Sequence, residues 1–253
     1  MIQDVFVTKI GMTQAWTTQG KRMAVTRCQA QSNFVVGSHQ AMVTNTQSPA
    51  RESKPVTVLE IGYGQKKLKN MSKPLRSRLE KSGFSVGVTA ITGVHMAEGQ
   101  ESDHAVGDTI VPTTMLEVGD VVTVQGLIKG RGYAGVVKHY GFKGGPKTHG
   151  QSDRQRAPGS IGSGTTPGRV YVGKRMAGRY GNETKTISGL VVLHVDQTSG
   201  EIWLSGPVPG SVFSSLKISK VGTKKAVELN LSASGIKVEA PQEEAAAQAP
   251  VEN

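Results

Sequence analysis

Three sets of residues in this 253-residue chain have types and spacings that could do chemistry. The first is Gly130–Arg131–Gly132–Tyr133–Ala134–Gly135, which has the G-x-G-x-x-G spacing of a dinucleotide loop and follows the apolar stretch Val121 to Ile128. Such a loop must open a helix whose N-terminus faces pyrophosphate, with an acidic residue about twenty positions on for the ribose. Here Gly141, Gly144, Gly145 and Pro146 follow, and the nearby acid, Asp153, stands among Gln and Arg. The glycines are therefore expected to serve backbone geometry. The second set is His139 and His149, which could ligate a metal or act as a base. A metal site needs three or four convergent ligands, and this neighbourhood offers no cysteine and one carboxylate. Contact with a phosphate or a base edge, or simple exposure, is the expected role. The third is Cys28, between Arg27 and Gln29 in a strand-like run, expected to be core and not a nucleophile. With no catalytic constellation, no cofactor loop and no metal cluster, the chain is expected not to be an enzyme and to take no small-molecule substrate.

Charge identifies a different chemistry. Lys and Arg number 30 against 19 Asp and Glu, a formal net charge of +11, and nearly all of that excess is local. Between residues 129 and 186 lie Lys129, Arg131, Lys138, Lys143, Lys147, Arg154, Arg156, Arg169, Lys174, Arg175, Arg179 and Lys185, against the acids Asp153 and Glu183. So many cations repel one another unless a polyanion neutralises them. Glycine fills 14 positions of this stretch, apolar periodicity is weak, and Tyr133, Tyr140, Phe142, Tyr171 and Tyr180 are interleaved with the cations. Disordered tails are poor in aromatics. Cations for phosphates, flat rings for unpaired bases and glycines for close backbone approach describe a segment that orders against RNA.

The elements that must position this segment are mainly strands. Valine outnumbers leucine 30 to 12. Short alternating runs predict strands over Val5–Ile10, Arg22–Gln29, Val56–Tyr63, Val86–Thr92, Val121–Val124, Leu190–Val195, Ile202–Pro207 and Ser215–Ile218, with turn residues between many of them. That spacing predicts a small β-barrel rather than βαβ units. One helix is expected after Ser72, with Pro74 in its first turn and Leu75 and Leu79 on one face. The longest apolar runs, such as Leu190–Leu193, fall far short of the roughly 20 residues of a membrane helix, so no membrane partner is expected. The first residues, Met1 to Phe6, show no signal or transit pattern, and a single cysteine suits a reducing, cytoplasmic compartment. Residues 239–253 carry four acids and no base in an Ala/Gln/Pro-rich context, and are expected to form a disordered acidic tail.

Several motifs then carry a resemblance. Thr8–Lys9–Ile10–Gly11–Met12–Thr13–Gln14–Ala15–Trp16, Lys129 to Gly135, Thr148–His149–Gly150, Ala157 to Gly162, Thr166–Pro167–Gly168 and Lys174 to Gly178 resemble, in order and spacing, the bacterial form of the third universal protein family of the large ribosomal subunit. The likeness runs from about residue 1 to 220. It implies a translation-protein-type β-barrel body over 1–128 and 187–238, with an inserted α+β part at about 55–115. It also implies an irregular, RNA-penetrating extension over 129–186 that reaches towards the peptidyl transferase centre, bending near Ile161 to Thr166. The RNA-contacting set would then be the twelve cations with Tyr133, His139 and His149, joined at the bend by Ser160, Gly162, Ser163, Gly164 and Thr165. Implied partners are large-subunit rRNA and neighbouring ribosomal proteins, the fourteenth and nineteenth of that subunit among them, in a cytoplasmic ribosome. The implied role is structural: early assembly and organisation of RNA beside the catalytic centre. Two positions depart from the pattern. Ser163–Gly164–Thr165 lacks the glutamine that many bacterial relatives methylate, so no such modification is expected there, and Gln155 replaces a histidine common before Arg-x-Pro-Gly-Ser. The competing expectations are a free-standing RNA-binding module or chaperone, and a nucleotide-dependent enzyme built on Gly130–Gly135.

Overall fold

A computed structural model describes residues 4–44, 53–96, 104–224, 227–231 and 233–235. The acidic segment 239–253 lies outside the described residues. The chain is mainly β. Six antiparallel strands, β1 (Asp4–Trp16), β2 (Arg22–Gln29), β7 (Asp120–Leu127), β10 (Thr184–Asp196), β11 (Glu201–Ser205) and β12 (Ser215–Thr223), pair in the closed order β1-β12-β7-β10-β11-β2. Period-2 patterning selects this arrangement. Along β7, Asp120, Val122, Val124 and Gly126 are buried while their neighbours are not. Val5, Val7, Cys28, Val122, Val124, Val192, Ile202, Leu204, Leu216 and Ile218 fill the interior. Closing so few strands demands sharp bending, supplied by register shifts at Lys9/Gly11, Ile187/Leu190, Val192/His194 and Lys220/Gly222. Gly126 is small for a packing reason, since a Cβ there would meet Leu216 Cδ2 at 2.6 Å.

Between β2 and β7 the chain builds a second sheet from β3 (Asn33–Thr44), β4 (Ser53–Lys66), β5 (Gly87–His95) and β6 (Thr109–Ile110), ordered β5-β4-β3-β6. One face, with Val35, Leu59, Ile61 and Val94, packs on Phe6 of the barrel, whose ring stacks on Tyr63 at 4.2 Å. The other face, with Phe34, Val36 and Val88, is covered by Leu79 of helix α1 (Lys73–Lys81). Ser72 occupies the N-cap position and Pro74 the first turn, as the sequence predicts, although the Ser72 side chain makes no capping hydrogen bond. The expected Leu75–Leu79 face is half right: Leu79 is fully buried, whereas Leu75 is 41% exposed.

Several boundaries differ from expectation, with β1, β10 and β12 running five or more residues beyond the expected strands. The inserted sheet begins at Asn33 and not near residue 55, because β3 pairs with β4 along its whole length. The strand expected over Ile202–Pro207 ends at Ser205, where Gly206 takes φ +81 and turns the chain. Two short helices, α2 (Pro112–Met115) and α3 (Val136–Tyr140), and the two-residue strands β8 (Tyr133–Ala134) and β9 (Gly178–Arg179) complete the elements.

Candidate nucleic-acid interface

The basic segment leaves the barrel between two hydrogen-bonded neighbours, β7 and β10, so both of its ends are fixed side by side. Leu127 pairs with Thr184, and the ladder continues outward. Ile128 N donates to Glu183 O at 2.9 Å, Arg131 N to Tyr180 O at 2.8 Å, and Tyr180 N to Gly132 O at 2.9 Å. Tyr133 and Ala134 then pair with Arg179 and Gly178. The root is thus a two-stranded ribbon, more regular than the expected irregular extension, and Thr184 to Thr186 belong to β10. Gly181 makes this crossing possible. It sits at φ +76, and a Cβ there would lie 2.3 Å from Lys129 O.

Outside the ribbon, helix α3 ends on Gly141 at φ +72, a left-handed cap that turns the chain away. Here the interleaved aromatics and cations meet. The His139 ring stacks on Tyr140 at 4.0 Å and lies 4.8 Å from Tyr180. The Arg131 guanidinium sits 5.0 Å from the Tyr180 ring centre, and Arg175 sits 5.7 Å from that of Tyr140. Residues some forty positions apart along the chain are thereby pinned together without a hydrophobic core. Farther out, Gly145 N donates to Gln155 O at 3.0 Å, and a Cβ on Gly144 would lie 2.3 Å from that same oxygen. The outer segment is therefore a second, close-packed backbone crossing.

Burial distinguishes this arm from the rest of the molecule. From Val137 to Gly189 no residue is buried. All twelve cations are exposed, as are Tyr133, His149, Ser160, Gly162, Ser163, Gly164 and Thr165, while His139 is half-buried. Among the described residues, the one ion pair made by an arm cation is Arg154–Asp153 at 4.0 Å, with side chains 81% and 77% exposed. The arm brings together Arg131, His139, Arg175 and Arg179 at its root and Lys143 with Arg154 farther out. Lys185 stands apart on β10, opposite Gly126. Gly130–Gly135, the dinucleotide-like pattern, runs through an antiparallel ribbon into a helix of five residues, without the crossover that a nucleotide fold requires.

Two buried side chains of the barrel, Cys28 and Lys9, have shifted pKa values and are held in its packing. Cys28 is fully buried, and burial pushes its thiol up to about 12. Lys9 is 8% exposed, and its amine donates to Val208 O and Gly210 O, both at 3.0 Å. Burial, then the charge of Lys129, lowers its pKa. This buried lysine ties the loop before β12 to the end of the barrel from which the arm leaves. On the outer wall, Arg27 grips Glu201 with Nε and Nη2 and lies 5.9 Å from the Trp203 ring, whose indole nitrogen donates to Glu201 at 3.1 Å.

Sequence reasoning did not single out Gln151 or Phe213. The side-chain nitrogen of Gln151 is buried without a partner, a condition that no spacing pattern encodes. Phe213 is 79% exposed at φ +61, a conformation unusual for a bulky residue, and its amide donates to Lys9 O at 2.8 Å. Its signal would have been an aromatic within the turn-rich run Gly206 to Ser215.

Comparison with known proteins follows this geometry. A family model described as Ribosomal protein L3 matches residues 77–204. The protein called Large ribosomal subunit protein uL3 in Herpetosiphon aurantiacus is 39% identical over 230 residues, covering 89% of this chain and 100% of its own. Its namesake in Dehalococcoides mccartyi is 38% identical over 88% of this chain and 100% of its own. That of Chlorobaculum tepidum is 37% identical, covering 83% of this chain and 94% of its own.

Proposed function

Because the chain belongs to the ribosomal protein L3 family, whose members are structural components of the large ribosomal subunit and not enzymes, we propose that it binds large-subunit rRNA through residues 129–186 and holds that RNA in shape. The body over 1–128 and 187–238 is the anchor, and the arm is the part that enters RNA. The observation that carries this reading is the unburied run from Val137 to Gly189, dense in cations of which, among the described residues, Arg154 alone makes an ion pair. A segment without a core cannot repay roughly 1–2 kcal/mol of backbone entropy per residue from its own contacts. Phosphates supply what it lacks, since Arg guanidinium pairs bidentately with them or stacks on bases, while Lys acts as a point charge.

The finer reading is that the arm stiffens RNA beside the peptidyl transferase centre with its bend at Ile161 to Thr166, and that the body helps nucleate assembly beside the fourteenth and nineteenth proteins of the subunit. A glycine-rich, single-chain arm suits a passage through RNA too narrow for a folded domain. Sucrose-gradient sedimentation of the full chain and of a variant lacking Gly150 to Gly173 tests the role. The full chain should stay with the large subunit through a moderate salt wash. The deletion should keep the barrel's unfolding transition but dissociate and impair subunit assembly or peptidyl transfer. Equal retention and normal growth on the deletion would overturn the reading, and a full chain that sediments free of ribosomes would favour an independent RNA chaperone.

A further inference from the structure

The outer crossing of the arm borders an open cleft of about 510 Å³ lined by Phe142, Lys143, Gly145, Gln151, Arg154 and Pro158, among others. Three observations make it more than a surface fold. Its wall is closely packed in backbone, because Gly144 and Gly145 lie so close to the carbonyls of Gln155 and Arg154 that a Cβ would approach them at 2.3 Å and 2.7 Å. One side is an aromatic ring, Phe142, tilted at 42° to Tyr140 with ring centres 6.0 Å apart, which links it to the root cluster. The third is the amide of Gln151, whose nitrogen has no exposed surface and no hydrogen-bond partner. That nitrogen lies 3.7 Å from where a Cβ of Gly145 would stand, so the glycine leaves room for it.

An orphaned buried donor carries a desolvation penalty that persists only where structure or function requires it. No acceptor holds this amide, so a rotation of the Gln151 side chain towards an acceptor in the cleft would break no hydrogen bond of that nitrogen. The volume falls in the range of ligand sites, the ring offers a stacking face, and Lys143 and Arg154 stand at the same cleft for a phosphate.

We propose that this cleft receives one unpaired nucleobase of the bound RNA, stacked on Phe142, accepting a hydrogen bond from Gln151 Nε2 through a base carbonyl or ring nitrogen, with its phosphate held by Lys143 or Arg154. The inference rests on the RNA-binding reading above and adds a base-reading contact to what is otherwise neutralisation of phosphates. Every base carries such an acceptor, so the contact selects an unstacked nucleotide in the right place and not a particular letter.

The test is base-specific chemical probing of large-subunit rRNA bound by the full chain and by its Gln151→Leu, Gln151→Glu and Phe142→Ala variants. In the wild-type complex one unpaired base should be protected. All three variants should restore its reactivity at least tenfold, and Phe142→Ala should weaken binding between about five- and a hundredfold, the span expected of one lost base stack. The salt dependence of Gln151→Leu and Phe142→Ala should stay that of wild type, because neither changes a charge. The variants lie outside both cores, so the barrel's unfolding transition serves as the control for folding. Wild-type binding with a base footprint unchanged in all three variants would overturn the base site alone. A wild-type chain that does not bind rRNA would sink the underlying reading as well.

Discussion

Glu201 carries the clearest residue-scale consequence. The Arg27 guanidinium, and after it the Trp203 indole, hold its carboxyl below the usual range, against burial that pushes the other way. A carboxylate lowered on folding stabilises the protein above its ordinary pKa and loses that contribution as pH falls through the depressed folded value. Glu201→Gln is therefore expected to cost up to about 1 kcal/mol at pH 7, since Arg27 is 40% exposed and solvent screens the pair. The deficit should shrink towards zero at the acid end, below the folded pKa of Glu201. Urea midpoints of both proteins across that range check it, and a deficit that persists undiminished in acid would refute it. Asp196 adds to the same acid sensitivity, its carboxyl being lowered first by the Ser199 hydroxyl.

At the scale of elements, the arm depends on glycines that let backbones touch. Gly181→Ala places a methyl against Lys129 O and forces a left-handed conformation on an L-residue, a strain of about 1–2 kcal/mol before the clash is counted. Amide exchange at Arg131 and Tyr180, which bridge the ribbon beside it, should quicken roughly five- to thirtyfold or more. Gly162→Ala, with open space around it and an ordinary φ, should change nothing there. How legible each element was follows from what its residues face. The barrel strands were readable because one face is dry and the other wet, as in Val122 and Val124 of β7. Strand β3 was not: Phe34, Val35 and Val36 are consecutive and all buried, serving opposite faces of a sheet covered on both sides, and the Val35/Gly37 register shift breaks the alternation further. The arm was legible through charge, glycine and aromatic content. Its internal contacts were not, because Tyr140–Arg175 and Gly145–Gln155 join distant positions through geometry that composition does not record.

Over the whole molecule, a body with a modest positive charge, 18 Lys and Arg against 13 Asp and Glu over 1–128 and 187–238, carries a far more densely cationic projection. Neutralising about eight phosphates would make log K for rRNA fall by roughly 6 to 7 per decade of salt, at about 0.7–0.9 per contact. Replacing Lys174 and Arg175 together by Gln should reduce that slope by roughly 1.4 to 1.8, measured as equilibrium binding of the full chain to large-subunit rRNA over a salt series. An unchanged slope would remove both from the set of phosphate contacts. The body's part is geometric: by fixing Leu127 against Thr184 it aims the projection, and the Lys9 clamp braces that same end.

The barrel is closed by its first and last strands, with Asp4 opposite Ser219 and β12 wedged between β1 and β7. Biosynthesis must therefore deliver the whole projection before its mount can shut. At roughly 5 to 20 residues per second, the wait from Lys129 to Thr223 lasts on the order of 5 to 20 seconds. During it the nascent chain combines free cations with the unpaired edges of β1 and β7, an invitation to stray pairing with other chains. The position of one short strand thus sets the interval in which this protein most needs shelter.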